Sequence, residues 1–243
     1  MQQLIAGAGQ GIGLELVRQS LVESHWKRIY ALYRTSGEAL QQLADEDSRL
    51  ICLQVDQQKD EDLAKLPEQL DGKLQRVINT AGLLHSQALG IHPEKSLQQL
   101  SRQALQEVMS VNAINHLLLL QALQPRLARR GPLQLVSLSA KVGSIADNRL
   151  GGWYAYRASK AALNQLLKTL SIEMRRWNPE SLVVALHPGT TATELSAPFQ
   201  QRVPPEQLFS VERTARQLLE VMAGLDAEAS GGFYSWDGSR LPW

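Results

Sequence analysis

Two side chains in the sequence are spaced for acid–base chemistry. Tyr156 and Lys160 stand four residues apart in Trp153-Tyr-Ala-Tyr-Arg-Ala-Ser-Lys160, so on a helix they share one face. A free tyrosine titrates near ~10, too high for efficient proton transfer at neutral pH, and a nearby ammonium favours the phenolate and lowers that value. The same spacing also fits an ordinary surface face, so the pair acquires meaning only from the parts around it.

A second chemical signal is the run Ala6-Gly7-Ala-Gly9-Gln10-Gly11-Ile12-Gly13. Glycines there allow a tight turn, bring backbone N–H groups close to a pyrophosphate, and let a helix pack against the strand before it. The phosphate then rests at the helix N-terminus. The spacing G-x-G-x-x-G fails, because Gly7 and Gly9 would need a third glycine at Ile12; G-x-x-x-G-x-G, on Gly7, Gly11 and Gly13, fits. A glycine turn after a strand can also be merely structural. Next comes Leu32-Tyr33-Arg34-Thr35-Ser36, with no acid before Glu38. An acid at this point would hold the 2′,3′-diol of NAD, whereas an arginine suits a 2′-phosphate. Arg34 therefore favours NADP(H) over NAD(H), against the plainer reading of a solvated arginine at a strand end.

The elements that must position these groups alternate along the chain. Strand-like runs are expected at 3–6, 28–33, 50–55, 76–79, 133–138, 182–186 and 232–235. Helical stretches are expected near 12–24, 37–46, 59–70, 95–129, 153–177 and 211–223. Short apolar strands separated by helices predict an α/β fold, a doubly wound parallel sheet of about seven strands with helices on both faces. No linker or repeat divides the chain, so residues 1–243 are expected to form one domain. Pro198, Pro204 and Pro205 mark 190–210 as a lid over the substrate.

Composition excludes several classes of function. The 243 residues are 44% hydrophobic and 20% charged, which is ordinary globular composition. Lys plus Arg is 25 and Asp plus Glu is 24, a net charge of +1, so no electrostatic footprint for nucleic acid or an anionic membrane exists. The single Cys52 forms no internal disulfide and lies in an apolar run, which predicts a buried strand thiol and a cytoplasmic setting. The start Met-Gln-Gln-Leu-Ile has no signal-peptide pattern, and no apolar run is long enough for a membrane span.

The order of the parts carries a resemblance. Gly7-x3-Gly11-x-Gly13, Asn79-Thr-Ala-Gly82, Asn112, serines after the fifth strand, Tyr156-x3-Lys160 and Pro188-Gly189 resemble the short-chain dehydrogenase/reductase family along the whole chain. The stretch from Gly143 through Gly151-Gly152-Trp153 to Asn164 resembles its C-factor-like carbonyl reductase branch. The resemblance implies a Rossmann-type fold, a nicotinamide cofactor, and hydride transfer to or from a small carbonyl or alcohol substrate. It further implies a helix-paired homodimer or homotetramer, with the apolar faces near 100–129 and 153–177 as the interface.

Residue by residue, the resemblance puts Gly7, Gly9, Gln10, Gly11, Ile12 and Gly13 at the pyrophosphate and Asp56 at the adenine. Asn79, Ala81 and Gly82 fall beside the adenine ribose. Asn112 corresponds to the residue that holds a relay water, Tyr156 to the acid/base, and Lys160 to the group that holds the nicotinamide ribose and tunes Tyr156. Pro188, Gly189, Thr190 and Thr193 match the segment over the nicotinamide and pyrophosphate. Two departures stand out. Ala6 replaces a threonine that ties down the glycine loop. In Ser137-Leu-Ser139-Ala140-Lys-Val-Gly143 the usual catalytic serine position falls on Ala140. The hydroxyl is expected from Ser139, with Ser144 or no hydroxyl as alternatives; an absent hydroxyl would fit a nucleotide-binding regulatory or signalling protein of the same fold. Trp153, Tyr154 and Phe199 either line a substrate pocket or simply pack, and His187 is expected to be structural.

Overall fold

The computed structural model describes the backbone of residues 1–243 and every side chain except that of Arg202. Nine strands form: β1 (Gln2–Ala6), β2 (Arg28–Tyr33), β3 (Leu50–Gln54), β4 (Arg76–Asn79), β5 (Leu133–Leu138), β6 (Ser181–His187), β7 (Thr190–Thr191), β8 (Leu208–Phe209) and β9 (Gly232–Ser235). Seven of them make one sheet in the order β3-β2-β1-β4-β5-β6-β9, with every pairing parallel. Seven helices run between them: α1 (Gly11–Val22), α2 (Glu38–Glu46), α3 (Asp60–Lys65), α4 (Arg102–Met109), α5 (Asn115–Leu123), α6 (Tyr154–Trp177) and α7 (Val211–Gly224). This is the Rossmann-type doubly wound architecture.

A parallel sheet covered on both faces must be apolar at consecutive positions, and β6 shows why. Leu182, Val184 and Leu186 pack into one core with Leu16 of α1, Leu40 of α2 and Leu218 of α7. Val183 and Ala185 point the other way, into a second core with Leu119 and Leu123 of α5 and Leu163 and Leu167 of α6. The order of strands reverses between β1 and β4, and the crevice beyond their carboxyl ends is where such sheets bind ligands.

The helix expected over 95–129 is divided. Ser101 caps α4, its hydroxyl accepting Ala104 N–H at 3.0 Å, and Pro125 breaks the chain after α5. Between α4 and α5 lies a π-helical turn, Ser110–Ile114, which carries Asn112. Likewise 59–70 is α3 followed by a 3₁₀ turn, Leu66–Gln69, that starts at Pro67. Cys52 in β3 is half-buried rather than buried.

Candidate active site

The glycine loop opens a cleft of about 890 Å³ at the carboxyl ends of the strands. Crowding requires glycine there at Gly7, Gly9 and Gly13; a Cβ on Gly9 would lie 2.6 Å from the Ser36 carbonyl oxygen. A Cβ on Gly13 would collide with the Gly7 carbonyl, and Gly7 itself has φ +75° with Thr80 Oγ1 2.6 Å from where its Cβ would lie. The hydroxyl missing at Ala6 is supplied from β4's end: Thr80 Oγ1 donates to the Ala6 and Gly7 carbonyls at 2.9 and 3.1 Å. Sequence reasoning missed Thr80, although it lies within the Asn79–Gly82 motif. Gln10 precedes α1 without making a side-chain cap, so the first N–H groups of α1 have no side-chain partner. Instead, Gln10 Nε2 donates to Glu194 Oε2 at 3.0 Å, joining the glycine loop to the segment after β7.

Gly7, Gly9, Gln10, Gly11, Ile12, Gly13, Arg34, Asp56, Ala81 and Gly82 all line the cleft, and so do Pro188, Gly189, Thr190 and Thr193. Arg34 is exposed and, among the described residues, forms no salt bridge. Asn79 stands behind the wall. Its Nδ2 donates to Gln57 Oε1 at 2.8 Å and its Oδ1 accepts Ala81 N–H at 3.0 Å, so it shapes the turn.

Tyr156 and Lys160 project from the first turns of α6 and are both buried in the cleft. Lys160 Nζ donates to the Leu138 carbonyl at 2.8 Å and sits 5.9 Å from the centre of the Tyr156 ring. Burial decides both titrations: it pushes the Tyr156 phenol up to about 12 and the Lys160 ammonium down to about 7. The expected lowering of Tyr156 by Lys160 is therefore outweighed by desolvation. His116, one turn beyond Asn112, is also wholly buried. Desolvation and then the Lys160 charge push it down to about 3, so the neutral ring donates from Nε2 to the Ala81 carbonyl at 3.1 Å. His187 lines the cleft half-buried, and burial pushes it down to about 4.

Asn112 does not reach the cleft with its side chain. Its Oδ1 accepts Leu83 N–H at 2.6 Å, while Nδ2 donates to the Leu83 carbonyl at 2.8 Å and to Ser159 Oγ at 3.0 Å. Ser159 in turn donates to the Tyr156 carbonyl at 2.8 Å. The π turn thus braces the Gly82–Leu83 wall against α6. Ser139 lines the cleft with Tyr156 and Lys160, and its hydroxyl is engaged by α6. Residues 133 and 135 of β5 face the α5–α6 core, and that alternation sends Ser139 to the same side. Its hydroxyl donates to Asn164 Oδ1 at 2.7 Å, one turn beyond Lys160. Ala140 lines the cleft beside Tyr156, and Ser144 is engaged with the Trp243 carbonyl and Asp147 N–H. Trp153 and Phe199 line the cleft; Tyr154 is exposed and does not.

Comparisons with known sequences and structures define the family and the fold. The family model for short chain dehydrogenase matches residues 2–204. C-signal of Myxococcus xanthus is 38% identical over 136 residues, covering 55% of this chain and 75% of that protein. NADPH-bound carbonyl reductase from chicken fatty liver superposes with a TM-score of 0.88 at 27% identity, over 100% of this chain and 94% of that one. The carbonyl reductase Sniffer of Drosophila melanogaster gives 0.87 at 26%, over 100% and 99%. The chain belongs to the short-chain dehydrogenase family. It is an oxidoreductase with the carbonyl-reductase fold, acting on a small molecule. No helix among the described residues is long and apolar enough to cross a membrane.

The Ser139–Asn164 contact gives a test. Ser139→Ala is expected to cost about 1–3 kcal/mol in denaturant unfolding, because it leaves Asn164 Oδ1 without its donor. The same variant should leave the rate of carbonyl reduction within about ten-fold. A rate loss of about 10²–10³ with unchanged stability would instead put that hydroxyl on the substrate oxygen.

Proposed function

We propose that the chain reduces small carbonyl compounds with NADP(H), and oxidises the corresponding alcohols, with Tyr156 as the proton carrier. The observation that carries this reading is the burial of Tyr156 and Lys160 on one helix face in the same cleft that the glycine loop opens.

The residues present fit a nicotinamide dinucleotide. The close approaches at Gly7 and Gly13 leave backbone where side chains would fill the cradle, and α1 offers uncapped N–H groups to an anion. Gly7, Gly9, Gln10, Gly11, Ile12 and Gly13 would hold the pyrophosphate, Arg34 the 2′-phosphate, and Asp56 the adenine. Ala81 and Gly82, shaped by Asn79, would border the adenine ribose. Lys160 would hold the nicotinamide ribose, with Pro188, Gly189, Thr190 and Thr193 closing the other side. When bound, the nicotinamide supplies or accepts the hydride.

The protein's own groups handle the proton. At neutral pH the Tyr156 phenol is protonated, because burial disfavours phenolate, and it is ready to donate to a carbonyl oxygen. As that proton leaves, the Lys160 ammonium one turn away stabilises the phenolate charge. The sign with pH follows: Lys160 is charged below about 7 and loses its proton above it, so reduction slows as pH rises through that value. Asn112 and Ser159 fix the backbone of α6 at Tyr156.

Ala140 supports a second reading. Ser139 lines the cleft, but its hydroxyl is donated to Asn164, which favours a nucleotide-binding regulator with slow turnover. The likeness to C-signal is in keeping with it. The free Cys52 fits a cytoplasmic setting.

Oxidation of NADPH over a panel of aldehydes, ketones and quinones separates the two readings. Tyr156→Phe should lower reduction by about 10²–10⁴ while NADPH still binds. Full turnover by that variant would overturn the assignment, and tight binding with no turnover by the wild type would favour the regulator. Arg34→Ala should weaken NADPH and leave NADH little changed; equal effects on both would remove the 2′-phosphate role.

We also propose that α4–α5 and α6 pair two copies of the chain. Ile114 and Ile172 on those helices are 46% and 52% exposed, and Leu166 and Leu170 are only partly covered. Light scattering at micromolar concentration should give a dimeric or tetrameric mass; a monomeric mass contradicts the pairing.

A further inference from the structure

Among the described residues, Trp153 is the one non-glycine with a left-handed backbone, at φ 50° and ψ 45°. It follows Gly151 and Gly152 at φ 63° and 65°, so three successive residues turn left-handed just before α6 begins. A side chain makes that conformation costly, and such strain persists only where surrounding contacts impose it.

Glu94 and Arg157 supply those contacts. Glu94, from the distant segment before α4, is buried to 3% exposure. Its backbone carbonyl accepts Trp153 N–H, and its carboxylate Oε2 accepts Ala155 N–H at 3.3 Å. The residue preceding α6 supplies no side-chain cap, so Glu94 caps this helix from outside it. From the other side Arg157 Nε donates to the Gly151 and Gly152 carbonyls at 3.3 and 3.1 Å, and its Nη1 donates to Val142 O at 3.3 Å.

The clamp fixes where the indole goes. Trp153 stands edge-on to the Tyr156 ring at 6.2 Å between centres and packs against Phe199 at 4.9 Å. With Leu84, Ala140 and Val142 these rings form an apolar wall of the cleft beside Tyr156. A flat apolar group attached to the carbonyl would meet aromatic faces and edges there, an arrangement worth more than its buried area alone. A short straight chain would leave most of that wall uncovered.

We propose that Trp153, held left-handed by Glu94 and Arg157, is the specificity-determining residue of this site, and that it selects carbonyls joined directly to an aromatic ring. The kinetic part rests on the carbonyl-reductase reading above; the binding part does not.

Trp153→Gly isolates the ring from the fold, because glycine adopts the left-handed turn without the Cβ cost. Relief of the left-handed strain offsets part of the packing lost with the indole, so its thermal midpoint should fall by no more than about 10 °C. Its kcat/KM for benzaldehyde should fall by about ten-fold or more relative to that for butanal, through KM. Glu94→Ala should lose the same ring preference, and Glu94→Gln, which keeps an acceptor oxygen, should retain it.

In parallel, saturation-transfer NMR on the NADP-loaded protein should show acetophenone ring contacts that disappear in Trp153→Gly. Benzaldehyde preference or ring contacts that survive Trp153→Gly overturn the proposal, and a preference that survives Glu94→Ala overturns the clamp. If the wild type reduces neither aldehyde, the carbonyl-reductase reading fails, and the acetophenone contacts alone decide the role of Trp153.

Discussion

A lysine ammonium is held out of water by a backbone carbonyl: Lys160 Nζ donates to Leu138 O at the end of β5. Burying a cation is costly unless it is hydrogen-bonded, and this cost shapes the surroundings. Gly143 must be a glycine because a Cβ there would lie 2.8 Å from Lys160 Cβ, so the turn after β5 packs directly on α6. His116 is kept neutral partly by the same charge, which frees its ring to hold the Ala81 carbonyl. Tyr156, one turn earlier on α6, shares the dry environment and is kept protonated by it. One buried charge thus links the turn after β5, the turn after β4, and the helix that carries the phenol.

The sheet makes that burial achievable. Its two apolar faces are covered by helices, so polar groups collect at the carboxyl ends of the strands, where chain direction changes and backbone groups lose their ladder partners. Thr80 bonds the Ala6 and Gly7 carbonyls where β1 gives way to the glycine loop. Asn112 performs the equivalent task at Leu83, through the π turn that brings it inward. These two side chains hold the loops, while the groups suited to chemistry remain on α6.

Much of the fold was legible because periodicity reports burial. All seven strands of the large sheet fall on the apolar runs, and the glycine spacing located the cleft. The division of 95–129 was harder to read, because a π turn adds one residue to a helix without changing its composition. The Tyr156–Lys160 spacing showed a shared face but not its dielectric environment, so the direction of the Tyr156 shift came out opposite to the simple charge argument. Ser139 illustrates the register problem. The mismatch with Gly143 was visible in the sequence, but its partner Asn164 is 25 residues away and emerges only once α6 is laid against β5. Glu94 gave no local signal at all, since it caps a helix that begins 60 residues later.

Burial lowers the affinity of the Lys160 ammonium for its proton to the physiological range. The 13Cε and 15Nζ resonances of Lys160, followed with pH in lysine-labelled protein and assigned by their loss in Lys160→Met, should titrate with a midpoint near 7. A midpoint near the ordinary lysine value of about 10.4 would contradict that lowering, by showing that hydration or hydrogen bonding fully offsets the cost of burying the ammonium.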